Sequence, residues 1–434
     1  MKKRIRAVAQ VNTKIAKESF ISDHKAKPED FTRNRKLSFT VIFIHLLRKT
    51  VKSLQVSLNE LFMTNVIDSQ VSASAYSQAR NKFKHTAFIE LNEDMIDIFY
   101  SDDEDIKKWN NYRCIAGDGS KIILPYTAEI EKEYGSYIIK NQAIEDKYSC
   151  ALFECYYDVL NHMAIKSVLT YGPTYEVDAA IQMLDVVTES DLLIYDKGYA
   201  SYEFLATLVN RGKNYLIRCP ASSFKAAELL TKDTENWSKT VVLVPSKAQK
   251  KNIIEKQLPE KITVRFISVI LSTGEVEILI TSLLNPLIER DEFKWLYGMR
   301  WGVETFFSQI KGRLCLENFT GKTPEAVKQD FWSTIFISNF GTLMIEGLED
   351  EMNIDLKEGQ YRKKINGAIS FNTIKNMAFD IFLNDTDKTK SLEKMIELFK
   401  TTPIPERPGR SAPRKKPSFI RSLNYAKRVK KMIF

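Results

Sequence analysis

The stretch CALFECYYDVLNHMAIKSVLTY, residues 150–171, decides the fold. Its two halves are rich in β-branched and aromatic residues, and Asn161-His162 between them carries turn chemistry, so the spacing predicts two strands of a hairpin. Upstream, RCIAGD (113–118) and IILPY (122–126) read as further strands. Downstream the period changes. Residues from Tyr175 to about Thr188 are helical, LLIYD is an apolar strand ending at Asp196, ASYEFLATLVNRG is helical again and NYLIRC is a strand. Hairpin strands followed by alternating helix and strand predict an α/β fold whose sheet has mixed strand directions.

The rest of the chain is organised around this region. Residues 1–105 read as a helical segment, with apolar spacing through Phe39, Ile42, Phe43, Leu46, Leu47, Leu58, Leu61 and Phe62. A helix is expected at VSASAYSQARNKF, capped by Ser72 or Ser74 and followed by Arg80, Lys82 and Lys84. Such an array could read a DNA groove or could be a plain bundle. The polar run SDDEDIKKWNN (101–111) marks a boundary, so the α/β region spans 106–219. Residues 220–288 form a β-rich insertion with strands at KTVVLVP, ITVRFISVIL and EVEILITSLL, the last two joined by Ser272-Thr273-Gly274. Helices return in 289–349, at 324–349 among others, and in 350–401, at 370–384 and 391–400. From 402 to 434 a basic segment holds five of the thirteen prolines and is expected to be extended.

Charge narrows the partner. The 434 residues carry +9, but Arg407–Phe434 has ten Lys or Arg and no acid, and residues 1–36 have eleven basic and four acidic residues. The ends therefore supply +17 and the middle about −8, which suits a polyanion gripped by both arms: DNA, RNA or an acidic lipid surface. The longest apolar run near the N-terminus, LSFTVIFIHLL, is too short to span a bilayer, so no membrane insertion is expected and the location is read as cytoplasmic. Five scattered cysteines and four dispersed histidines indicate neither disulfides nor a zinc site. Gly321-Lys322-Thr323 imitates the end of a phosphate-binding loop, but Leu316 stands where that loop needs glycine.

Two strand-end acids stand out, Asp118 in IAGDGSKIILP and Asp196 in LLIYDKGYAS, each with a glycine close behind, Gly119 and Gly198. The glycines leave backbone room for a ligand or metal; Asp-Gly at a strand end is also a common turn. A third acid comes from WLYGMRWGVETFFSQIKGRL (295–314), read as a helix. With Tyr297 at zero and about 100° per residue, Arg300 falls near −60°, Glu304 near −20° and Lys311 near −40°. Met299, Val303, Phe306, Ile310 and Leu314 lie roughly opposite, between about 180° and 260°, and form the buried stripe. The polar stripe is either a solvated face with Arg300 paired to Glu304 or a functional surface. Gly298 and Gly302, each costing about 1 kcal/mol relative to Ala in a helix, favour a face approached by another backbone. Asp118, Asp196 and Glu304 could together hold two Mg²⁺ ions, with Arg300 and Lys311 for phosphate oxygens and Trp301 for a stacked base.

These motifs resemble a known family. Tyr297, Arg300, Glu304 and Lys311 match the Tyr-(2)-Arg-(3)-Glu-(6)-Lys signature of the DDE transposases of bacterial insertion sequences, in insertion-sequence family four. RWGVETFFSQIKGRLCLENFTGKT is similar to that family's third catalytic block, and GDGS and YDKGY look like its two Asp blocks. The resemblance covers roughly residues 110–345. It implies an RNase H-like core in two parts, 106–219 and 289–349, interrupted by the β-rich insertion. It also implies cleavage at the ends of a mobile element and joining of 3′-hydroxyl ends to target DNA, with Mg²⁺ and with Mn²⁺ able to substitute. Carried over, Asp118, Asp196 and Glu304 are the catalytic metal ligands, and Tyr297, Arg300, Trp301 and Lys311 contact DNA. Lys197 stands where arginine is usual and keeps the charge without the bidentate fork. The implied partners are double-stranded DNA, as terminal inverted repeats and target, and a second copy of the chain. The alternatives are an inactive DNA-binding protein of the same fold and a hydrolytic nuclease.

Overall fold

The computed structural model describes residues 1–49, 52–102, 105–141, 144–232, 236–271, 273–383 and 388–407. The strands of its large sheet are β1 (Arg113–Leu124), β2 (Ser136–Asn141), β3 (Ile144–Asp158), β4 (Met163–Tyr171), β5 (Asp191–Tyr195), β6 (Asn214–Cys219), β7 (Ser238–Leu243), β8 (Ile262–Ile270) and β9 (Val276–Thr281). The chain packs as two units, one of residues 104–122 and 150–308 and the other of residues 1–103, 123–149 and 309–434.

The unit of 104–122 and 150–308 is built on the predicted hairpin. β3 and β4 pair antiparallel from Ala151↔Tyr171 to Asp158↔Met163, and His162 makes the turn in the left-handed region at φ 57°. β3 neighbours β1, and β1, β5 and β6 run parallel. Parallel neighbours need crossovers, and helices supply them: Glu176–Gln182 between β4 and β5, and Tyr202–Asn210 between β5 and β6. All five residues of β5 are buried, as expected of a strand covered on both faces. At its start the Arg113 guanidinium grips Asp191 through two bonds of 2.6 and 2.9 Å, fixing the β1/β5 register. The order β4-β3-β1-β5-β6, with helices between the parallel strands, is that of an RNase H-like core.

One expectation changes here. IILPY is not a separate strand: β1 runs through Asp118 and both flanking glycines without a break. The sequence left the pairing of the three strands at 238–281 open: β9 pairs antiparallel with β6, and β8 and β7 follow in order. They extend the core sheet by satisfying the ladder groups that β6 would otherwise expose at an edge. The insertion also carries helices, Lys225–Leu230 and Lys247–Glu255, where the sequence suggests only loop. The expected Ser272-Thr273-Gly274 turn is described from Thr273 onward, with Gly274 at φ 84°; Ser272 lies outside the described residues.

The other unit is mainly helical, with β2 paired antiparallel to residues Ile144–Ser149 of β3. Its N-terminal helices include Lys2–Ala16, Phe39–Arg48, Ala73–Arg80, capped by Ser72, and Thr86–Phe99. They share a core with Pro324–Ile345 and Gly367–Phe382, where Phe43 stacks on Phe88 at 4.9 Å and meets Phe336 and Phe382 edge-on. Arg80, on the helix that could read DNA or belong to a plain bundle, is buried. It donates to Gln329, Thr320, the Ala326 carbonyl and Asp330, at 2.7 to 3.0 Å. His45 is likewise enclosed between Tyr76 and Ser57, and burial pushes its pKa down to about 3, so it sits there as a neutral imidazole. Among the described residues no helix is long and apolar enough to cross a membrane. The basic tail from Pro408 lies outside the described residues.

Candidate active site

Asp118 sits inside β1 and Asp196 directly after β5, the parallel neighbour of β1. Glu304 lies in the helix Trp301–Ser308 of the same unit. Each Asp is oriented by local backbone. The Gly119 N–H donates to Asp118 Oδ1 at 3.0 Å, and the Gly198 N–H donates to Asp196 Oδ1 at 2.6 Å, which makes Asp196 the cap of the 3₁₀ turn Lys197–Tyr199. The glycines flanking Asp118 meet more than empty space. A Cβ on Gly117 would stand 2.2 Å from Cε1 of Tyr195, and one on Gly119 would stand 2.7 Å from Glu154 Oε2 and 2.8 Å from Glu176 Cγ. The room expected beside Asp118 for a ligand is therefore filled, on the Gly119 side, by two further carboxyl side chains.

Arg300 joins the acids. Its guanidinium donates to Glu304 Oε1 at 2.6 Å and stands 3.6 Å from Asp118 Oδ2. Burial pushes the Asp118 carboxyl up to about 7; Arg300 and the Gly119 N–H oppose that rise, while Glu304 and Glu176 add to it. Burial also raises Glu154 well above the usual carboxylate range, with Asp118 and Glu176 contributing, and raises Glu176, with Asp196 contributing. Burial would lower the Arg300 pKa, but Glu304, Tyr297 and Asp118 raise it on balance. Asp118, Glu154 and Glu176 are thus each pushed toward the protonated form by burial and by neighbouring carboxylates. That is the electrostatic setting in which a hard divalent cation with oxygen ligands is favoured.

The fit to a metal has a second side. Among the described residues no three His, Cys, Asp or Glu side chains stand close enough to share one ion. The Arg300 guanidinium lies between Asp118 and Glu304. The donor chemistry of Asp118, Asp196 and Glu304 fits a hard cation, and Arg300 is the group such an ion would compete with.

The polar stripe is less open than the helical wheel predicts. Tyr297 is 7% and Arg300 5% exposed, with the guanidinium lying against the Tyr297 and Trp301 rings at 6.0 and 4.8 Å. Burial pushes the Tyr297 phenol up to about 12. Trp301 and Lys197 are exposed. The single predicted helix is broken into Arg290–Met299, Trp301–Ser308 and a π-helical turn, Gln309–Arg313, which belongs to the other unit and carries Lys311. A π turn winds more residues than an α turn, so a uniform 3.6-residue wheel does not carry through to Lys311. The apolar stripe fares better: Val303, Phe306, Ile310 and Leu314 are buried and Met299 is half-buried. Of the two helix glycines, Gly302 is closely approached, 3.0 Å from a Val159 methyl by its virtual Cβ, while Gly298 faces open space.

Sequence reasoning missed Glu154, Glu176 and Tyr199. Tyr199, at the end of the YDKGY block, donates its hydroxyl to Glu154 Oε1 at 2.8 Å. A signal for Glu154 was on hand, because it is an acid in the middle of the apolar half-strand CALFECYY. Such a charge is expensive to bury without a reason.

A family model described as "Transposase DDE domain" matches residues 112–340, just over half of the chain. No curated protein matches. Among solved structures, the chain is similar to the cryo-EM structure of a piggyBac transposase synaptic complex with hairpin DNA, at 11% identity and a TM-score of 0.44, covering 95% of this chain and 84% of that one.

Proposed function

Because the chain belongs to the transposase DDE domain family, we propose that it cuts DNA at the ends of an insertion sequence and joins the freed 3′-hydroxyl ends to target DNA. The observation that carries this reading is the half-buried Asp118 carboxyl, 3.6 Å from the Arg300 guanidinium that also holds Glu304 and raised to about 7. Asp118, Asp196 and Glu304 would hold two divalent ions, Mg²⁺ with Mn²⁺ as substitute. Bound there, the ions supply charge stabilisation to the attacking and leaving oxygens of an in-line phosphoryl displacement.

The chain's own groups do the rest. Gly119 and Gly198 aim the two aspartates, and Arg300 keeps Glu304 oriented from four residues away. Exposed Lys197 takes a phosphate oxygen and exposed Trp301 a base face, Tyr297 and Arg300 contact DNA near the cleaved end, and Lys311, on the other unit, is a separate DNA contact. The signature Tyr297-Arg300-Glu304-Lys311 supports assigning the chain to insertion-sequence family four. A groove whose lining includes Arg33, Arg35 and Lys36, with Lys82 paired to Asp30 and Glu29 alongside, supports a part for residues 1–105 in holding DNA ends. Two copies, each on one element end, complete the reaction in this reading.

The test is a labelled duplex carrying the element's own ends incubated with the protein and Mg²⁺. Cutting at the element boundary followed by joining into a second duplex supports transposition. Nicking without joining leaves only a nuclease, and binding without cutting leaves only a DNA-binding protein. A separate expectation concerns the tail. Deleting residues 407–434, with their ten Lys or Arg, flattens the plot of log affinity against log salt, by about 0.9 for each phosphate that the tail neutralises. An unchanged slope removes the tail from the DNA footprint.

A further inference from the structure

Glu154 is fully buried on β3, the strand beside β1. Its two oxygens have different surroundings. Oε1 accepts the Tyr199 hydroxyl at 2.8 Å; Oε2 has no hydrogen-bond partner among the described residues and faces Gly119, 2.7 Å from the place a Cβ would take there. Tyr199 closes the short turn that Asp196 opens, and its ring is wedged against Tyr195 at 4.6 Å and Phe204 at 5.7 Å. One side chain therefore stands beside both segments that present the aspartates: it fills the space on the Cβ side of Gly119, and it bonds the Asp196 turn through Tyr199. A carboxyl with an orphaned oxygen is a costly way to fill a core position that methionine or leucine could fill.

We propose that Glu154 is a positioning residue of the active site, setting the Asp118 and Asp196 carboxylates relative to each other through its contact with Gly119 and its bond to Tyr199. The role rests on the reading of those aspartates as metal ligands. Glu154 does not itself touch substrate. It acts as the outer support of two ligand-bearing segments, the kind of partner whose loss typically costs about 10- to 100-fold in metal affinity.

The experiment uses the full chain and three variants, Glu154→Gln, Glu154→Leu and Tyr199→Phe, with two readouts. The first is amide hydrogen exchange without metal. Glu154→Leu and Tyr199→Phe are expected to speed exchange in the 196–201 segment while β5 and β6 keep wild-type protection, and Glu154→Gln, which keeps an acceptor for the tyrosine, is expected to stay near wild type. The second is Mn²⁺ affinity by titration calorimetry, expected to fall about tenfold in Glu154→Leu and Tyr199→Phe and to be restored in Glu154→Gln. If Glu154→Leu unfolds, Tyr199→Phe, which removes one hydroxyl, decides alone. Wild-type exchange at 196–201 in Tyr199→Phe, or unchanged Mn²⁺ affinity in a loosened variant, overturns the proposal. Should the wild type bind no Mn²⁺, the metal-centre reading fails by itself, and the exchange data still report whether Glu154 holds the Asp196 turn.

Discussion

Glu304→Gln is expected to lower cleavage and joining by on the order of a thousandfold while DNA affinity stays within about threefold of wild type. The amide keeps an oxygen that can accept from Arg300, now bonded to Glu304 at 2.6 Å, so the helix Trp301–Ser308 retains its local partner. What disappears is a negative oxygen ligand for a divalent cation. An ion placed to neutralise developing charge contributes several kcal/mol to the transition state, and each 1.36 kcal/mol is about a factor of ten in rate. Single-turnover cleavage on a gel gives the rate, and fluorescence anisotropy on the same duplex gives the affinity. A variant that cuts at the wild-type rate removes Glu304 from the chemistry. One that neither binds nor cuts points instead to a role in folding or DNA docking.

The second large effect is on stability. Gly117→Ala is expected to destabilise the unit containing it by about 3 kcal/mol, a fall of about 6–12 °C in its thermal midpoint. The added methyl would stand 2.2 Å from Cε1, 2.9 Å from Cδ1 and 3.0 Å from Cζ of Tyr195. That ring cannot step aside. It is fully buried, its hydroxyl donates to Tyr156 at 2.7 Å, and Tyr199 and Phe204 close on its faces and edge. Gly298→Ala is the control: nothing lies within 4 Å of its virtual Cβ, and alanine in a helix is favoured by up to about 1 kcal/mol. If both variants melt with the wild type, the packing of the GDG segment against Tyr195 is not as described.

What was legible in the sequence follows from the range over which each signal acts. The hairpin at 150–171, the strands ending at Asp196 and Cys219 and the buried stripe of the Glu304 helix depend on local period, and each is found where expected. Asp118-Gly119 and Asp196-Lys197-Gly198 were visible for the same reason. The pairing of β9 with β6 joins strands about sixty residues apart, and nothing in either strand's alternation names its partner. The purpose of the glycine after Asp118 runs opposite to expectation. The sequence suggests that Gly119 leaves space for a ligand, whereas its missing side chain admits Glu154 and Glu176. Burial of Arg300 and Tyr297 was not legible because a helical wheel gives direction and cannot say what another element places there. The π turn at Gln309–Arg313 altered the phase before Lys311 for the same reason.

The most direct test of the central claim, that Asp118, Asp196 and Glu304 converge on divalent cations, is iron-mediated self-cleavage of the protein. Fe²⁺ substituted into the site, with ascorbate and peroxide, generates radicals that cut the backbone nearest the ion, and mass spectrometry maps the breaks. Three clusters of cuts are expected, within a few residues of 118, 196 and 304, all suppressed by excess Mg²⁺. Cuts elsewhere, or at only one of the three segments, would show that these carboxylates do not share a metal centre.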